Sequence, residues 1–251
     1  MQKDNWISPP DTLDLEIRHV DIWRIPLDAA TPLDSNLQAD SVKWAVSTLS
    51  ADETERAAHF HFPADRDRFV IAHGSLRDIL SRYLNCQPGE ITFSVNQYGK
   101  TALNGHKLKF NLSHSGGLAL VAVTQGQEIG VDVERTRADM EHEEIAARNF
   151  SPGEIFELSA LPTEQRAAGF FNCWTRKEAY IKAQGQGLSL PLESFDVSLS
   201  PAEPAILRDT RPDSQESARW TLLALDVDPQ YAAAVAVAGR DLEFRLWNWD
   251  R

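Results

Sequence analysis

The same kinds of segment occur twice in this sequence at nearly one spacing, and a chain built that way folds as two copies of a unit. RFVIAHGSLRDILSRYL places Phe69, Ala72, Leu76, Ile79, Leu80 and Tyr83 at three- and four-residue steps, the period of a helix with one apolar face. GFFNCWTRKEAYIKAQ, roughly 105 residues further on, is a second helical stretch, closed by the glycines of GQGQG. The apolar runs LALVAV and AAAVAVA lie roughly 115 residues apart, so the strands repeat along with the helices. The expectation is an α+β fold of two similar halves, residues 1–125 and 126–251, with a ligand cleft where they meet.

The remaining segments fill in that plan. LEIRHVDIWRIPL alternates as a strand and TPLDSNLQADS after it reads as a loop; ITFSV precedes a turn at NQYGK; KLKFNLS and LALVAV form a hairpin through HSGG. FDVSLS, RWTLLALDV, YAAAVAVAG and LEFRLWNW are strand-like, while SPAEPAILRDTRPDSQES reads as a mobile loop. A net charge of −12 argues against a general nucleic-acid or anionic-membrane binder, so any phosphate site is local. Cys86 and Cys173 fit neither a zinc spacing nor a disulfide framework and are expected as buried thiols in a reducing compartment. The opening residues lack a signal-peptide core and the apolar runs are too short to span a bilayer, which predicts a soluble, cytoplasmic protein.

Within that frame, IGVDVERT seats two carboxylates on a strand. Asp132 and Glu134 point to one face while Val131 and Val133 enter the core, so a positive group, either a basic side chain or a hard metal ion, belongs beside them. With 37 acids in 251 residues such a pair arises by chance about five times, and a solvated acidic edge strand is the plain alternative. In WTRKEAYIKAQGQG, helical spacing stacks Trp174, Glu178 and Lys182 within about 80° of one face, which equally describes an exposed salt bridge. FNLSHSGG sets Ser113 and His114 at a strand end before two glycines, a cradle for phosphate or simply a capped turn. Further basic candidates are Arg56, His59, Arg66, Arg68, Arg77 and Lys100, for which ordinary helix-surface charge is the rival account.

Taken together, FNLSHSGG, IGVDVERTR and FFNCWTRKEAYIKAQGQGLSLPLESFDV resemble the three hallmark segments of the Sfp-type 4′-phosphopantetheinyl transferases, in order and at suitable separations, and the similarity extends over roughly residues 49 to 200. The resemblance implies a pseudo-dimeric α+β fold with coenzyme A between the halves and Mg²⁺ held by Asp132, Glu134 and Glu178. It implies that Lys182 and His114 meet the pyrophosphate and that Ser113 and the turn Tyr98, Gly99, Lys100 lie near the nucleotide. Arg56, His59 and Arg68 are the candidates for the 3′-phosphate, because Glu53 stands where some relatives carry lysine. Glu178 is the first choice for taking the serine proton and Glu154 the second; Lys177 either orients Glu178 or makes a structural ion pair. The implied partner is an apo acyl or peptidyl carrier protein of fatty acid, polyketide or nonribosomal peptide synthesis, served by a monomeric enzyme; the rival readings are a non-catalytic coenzyme A or carrier-protein binding module and a metal-dependent phosphohydrolase.

Overall fold

LALVAV is apolar at every position because both of its faces are covered. In the computed structural model, which describes residues 5–28, 35–137 and 141–250, these residues lie in β5 (Leu118–Gln125), hairpin-paired with β4 (Leu108–Ser115). β5 also pairs antiparallel with β1 (His19–Pro26), giving a sheet completed by the C-terminal strand. Along β5, Ala119, Val121 and Val123 face the helix α3 (Pro63–Leu84), whereas Leu118, Leu120 and Ala122 face a second sheet. That second sheet is made of β6 (Ile129–Arg135), β10 (Tyr231–Ala238) and β9 (Trp220–Ala224) in the order β6-β10-β9.

AAAVAVA reads the same way. Val235 and Val237 pack with Val131 and Val133 against Val20, Ile22 and Leu120 of the first sheet, while Ala234 and Ala236 turn to the helix α6 (Thr163–Gln184). The result is four layers, helix–sheet–sheet–helix, with each 22-residue helix backing one sheet. Smaller elements surround these layers: α1 (Ser35–Thr48), α2 (Ala51–Ala58), the hairpin β2 (Phe93–Val95) and β3 (Thr101–Leu103), α4 (His142–Asn149), α5 (Pro152–Ala160), and the pair β7 (Phe195–Val197) and β8 (Leu207–Thr210). Among the described residues no helix is long and apolar enough to cross a membrane. Both cysteines are free thiols, Cys173 buried and Cys86 half-buried.

Three expectations need correction. Residues 35–41 of TPLDSNLQADS belong to α1, and 31–34 lie outside the described residues. α1 is held by close packing on α3, where a Cβ added at Gly74 would stand 2.6 Å from the Ala45 Cβ. Part of the proposed mobile loop at 200–217 is β8, tied down by ion pairs of Arg208 with Glu157 and of Arg211 with Asp196. Finally, β11 (Glu243–Asn248) leaves the second half and pairs parallel with β1, His19 opposite Glu243, so a cut near 126 does not follow the sheets at the C-terminus.

Candidate active site between the two halves

Gly130 explains how the charged residues meet. It lies on β6 on the same face as Asp132 and Glu134, and a Cβ there would sit 2.2 Å from the Ala179 carbonyl oxygen and 2.3 Å from the Ala183 nitrogen. The main chain of α6 therefore rests directly on the strand, as a glycine inside a strand permits. This contact brings the last two turns of α6 over Asp132: Lys182 Nζ lies 2.6 Å from Asp132 Oδ1 and donates to Ser113 Oγ at 2.9 Å. Asp132 is 2 % exposed, and its second carboxylate oxygen has no hydrogen-bond partner. Burial first, then the charge of Asp132, pushes the Glu178 carboxyl above the ordinary range; burial raises Glu134 as well, against a hydrogen bond from Ser115.

The strands β4 and β6 are edges of different sheets, and side chains join them. Asn111 Oδ1, Ser113 Oγ and Ser115 Oγ, alternating along β4, accept from the backbone N–H groups of Val131, Val133 and Arg135 at 2.9, 3.4 and 3.1 Å. The same two hydroxyls donate to the acids, Ser113 to Asp132 at 2.9 Å and Ser115 to Glu134 at 2.8 Å. Ser113 is thus buried in the joint rather than open to a nucleotide. The signal for this ladder in the sequence is the alternation within FNLSHS, which turns Asn111, Ser113 and Ser115 to one face and His114 to the other.

A cavity of about 740 Å³ opens beside this joint, lined among others by Arg56, His73, His114, Tyr98, Glu178 and Lys182; Asp132 and Glu134 lie behind its lining. Burial, then the neighbouring His73, Lys182 and Arg56, hold the His114 imidazole below its usual value. Arg56 lies 5.2 Å above the Phe69 ring. His73, not among the expected residues, follows Phe69 by one helical turn and precedes Arg77 by another, a spacing that puts all three on one face of α3. Glu53 caps α2 with Ser50 and receives Arg77 Nε at 2.7 Å. Although burial opposes its charge, the His73 ring 3.4 Å away and hydrogen bonds from the Ser50 amide and Arg77 hold this carboxyl at about 2.

Several expected residues lie elsewhere. His59 is exposed, its Nδ1 2.7 Å from the Glu55 carbonyl, and does not line the cavity; Arg68 forks onto Asp28 with two 2.8 Å bonds and is likewise absent from the lining. The Lys100 ammonium lies at the cavity rim but is bonded to Glu128 at 2.8 Å and to the Ala183 carbonyl at 2.7 Å. Glu154 is not a proton acceptor for the cavity. It is 2 % exposed and sits 2.8 Å from Lys177 Nζ, and its oxygens also accept from the Ser151 and Val197 amides. Lys177 donates further to the Leu192 and Phe195 carbonyls, so it holds the second half's core together and does not orient Glu178.

Comparison with known proteins matches the sequence to one family. The profile described as 4′-phosphopantetheinyl transferase superfamily matches residues 128–236, and that of 4′-phosphopantetheinyl transferase, N-terminal, matches residues 36–126. The 4′-phosphopantetheinyl transferase HetI of Nostoc sp. is 41 % identical over 253 residues, 99 % of this chain and 100 % of that protein. The chain belongs to the 4′-phosphopantetheinyl transferase superfamily. The transferase Sfp of Bacillus subtilis is 32 % identical, covering 83 % of this chain and 91 % of its own. Among solved structures, the holo-[acyl-carrier-protein] synthase of Thermotoga maritima aligns at a TM-score of 0.36 and 19 % identity over 45 % of this chain and 62 % of that one. As a phosphopantetheinyl transferase, this chain carries its acids on β6 and its Glu–Lys pair on α6, both within the 128–236 match.

Proposed function

We propose that this transferase moves 4′-phosphopantetheine from coenzyme A to a serine hydroxyl of an apo carrier protein and uses Mg²⁺ to do so. The observation that carries the reading is that Glu178 and Lys182 line a cavity shared with cationic side chains, while Lys182 reaches the buried Asp132, one of whose oxygens is left without a partner. Among the described residues no three His, Cys, Asp or Glu side chains already surround one point closely enough to hold a metal ion, and Lys182 takes the near oxygen of Asp132. The donor chemistry nonetheless fits a hard cation: Asp132 offers its free oxygen, and Glu134 and Glu178 are carboxylates whose charge is resisted by burial and by Asp132. These three would hold Mg²⁺, which when bound neutralises charge on the phosphoryl oxygens.

The chain's own groups supply the rest. Lys182, drawn off Asp132, and His114 donate to the diphosphate, while Arg56 and His73 in the same lining suit the 3′-phosphate. The serine oxygen bonds to the phosphorus that bears pantetheine, the bond from that phosphorus to the bridging oxygen breaks, and adenosine 3′,5′-bisphosphate leaves with the electron pair. Glu178, whose carboxyl is held high by burial, takes the serine proton. Both walls of the cavity come from one chain, which favours a monomer acting alone.

Incubation with coenzyme A, Mg²⁺ and an apo carrier protein, followed by mass spectrometry of the acceptor and of the small products, tests the reading. One phosphopantetheine on the acceptor serine with stoichiometric adenosine bisphosphate is expected. Free phosphopantetheine without acceptor modification would make the chain a phosphohydrolase instead, and unaltered coenzyme A would make it a binding module.

A further inference from the structure

We infer that Asn96 and Lys100 are positioning residues: they clamp the turn 96–100 of the first half onto the C-terminal end of α6 and so hold Lys182 at the cavity wall. The turn is organised by Asn96, whose Oδ1 accepts from the Tyr98 and Lys100 amides, both at 2.9 Å. The same side chain reaches across with Nδ2 to the Gly185 carbonyl at 2.9 Å. Lys100 Nζ reaches the Ala183 carbonyl at 2.7 Å and is itself steadied by Glu128 at 2.8 Å. Two carbonyls at the end of α6, which no further helical turn can satisfy, are thereby covered by donors from the other half. Lys100 also places a cation where the helix dipole favours one.

Close packing marks the same contact independently of the hydrogen bonds. Gly185 closes α6 in the left-handed region at φ +67°, and a Cβ there would stand 2.7 Å from Lys100 Cδ. Gly187, at φ +54°, would place a Cβ 3.4 Å from the Tyr98 carbonyl oxygen. The last turn of α6 is therefore pinned on one side by Gly130 beneath Ala179 and Ala183 and on the other by the turn at Ala183 and Gly185. Lys182 lies between the two pins. Tyr98, Gly99, Lys100, Gly185 and Gly187 all line the cavity, so loosening the clamp widens the rim and frees Lys182 together.

The functional half of this inference rests on the coenzyme A reading, and the test separates the two. Asn96→Ala, Lys100→Met and Lys100→Arg in the full chain are compared for amide hydrogen exchange over residues 181–187, for coenzyme A and 3′-dephospho-coenzyme A binding by calorimetry, and for kcat and KM. Asn96→Ala and Lys100→Met should each speed exchange in that segment about tenfold while leaving the core strands unchanged. Each should also raise the KM for coenzyme A about tenfold, equally for the dephospho form, with Lys100→Arg restoring most of the loss. Wild-type exchange and KM in Asn96→Ala would overturn the clamp. So would a Lys100→Met variant that binds coenzyme A more weakly with exchange unaltered, since Lys100 would then touch the ligand directly. A wild-type protein that binds no coenzyme A would sink the coenzyme A reading, yet the exchange comparison, which needs no ligand, would still decide whether the clamp exists.

Discussion

Replacing Gly130 with alanine separates the contact that builds the site from the residues that use it. The added Cβ would meet only main chain: the Ala179 oxygen at 2.2 Å, the Ala183 nitrogen at 2.3 Å and the Lys182 carbonyl carbon at 2.8 Å, where ordinary contact begins at 3.4 Å. To open 2.2 Å to 3.4 Å the helix must retreat by about 1.2 Å, and no flexible side chain can absorb the shift. Overpacking of this kind costs about 1–3 kcal/mol, and three nearest neighbours that are all α6 main chain put this case at the upper end. About 3 kcal/mol corresponds to a Tm lowered by about 6–12 °C in a chain of this size. The same retreat carries Glu178 and Lys182 off Asp132, and a misplacement of about 1 Å costs about 10²-fold in turnover. Calorimetric scanning and steady-state transfer assays read the two effects, with Gly89→Ala as control because a Cβ there meets nothing within 4 Å. A Gly130→Ala protein whose Tm stays within about 2 °C and whose kcat/KM stays within about twofold of wild type would refute the argument, since α6 would have room the geometry denies.

Three further outcomes follow from the same structure. Glu178→Gln should lower kcat by about 10²-fold or more with an unchanged Tm, read by single-turnover transfer; near-normal turnover would remove Glu178 as proton acceptor. Lys177→Met should do the reverse, costing about 3–5 kcal/mol in urea unfolding because Glu154 is left charged and buried, while the folded fraction keeps its kinetics; a kinetic loss without a stability loss would place Lys177 in the chemistry after all. Glu53 has a folded-state carboxyl held at about 2, below its ordinary 4.5, so its stabilising contribution is present above about 4.5 and is lost as pH falls toward 2. Urea midpoints measured from pH 6 to 2 should therefore fall less steeply for Glu53→Gln than for wild type, and parallel curves would show that the Arg77 and His73 contacts do not carry that charge.

The fold was most legible where one periodicity had one cause. LALVAV and AAAVAVA are sandwiched strands, and the helical step from Ala72 to Tyr83 is the face that α3 lays on the first sheet, while Phe69 packs with Ala45 and Ala57 instead. β6 and α6 each displayed their acids, but Gly130, the residue that brings them together, carries no side chain to advertise the contact. α1 escaped notice because it is largely polar and packs through Ala45, while β8 escaped because arginine ion pairs rather than apolar alternation secure it. The acidic pair and its lysine were visible from spacing, whereas the roles of Glu154, Ser113 and Arg68 depended on partners distant in sequence: Lys177, the amide of Val133 and Asp28. Charge alone does not say whether a residue faces a ligand or another part of the chain.

Crystals of the protein grown with coenzyme A and Mn²⁺ in place of Mg²⁺ test the central claim most directly, through anomalous difference density. The account predicts one ion about 2.0–2.3 Å from oxygens of Asp132, Glu134, Glu178 and the diphosphate, with Lys182 Nζ moved from its 2.6 Å contact with Asp132 onto a phosphate oxygen. Bound coenzyme A with no density among those carboxylates, and Lys182 still on Asp132, would contradict it.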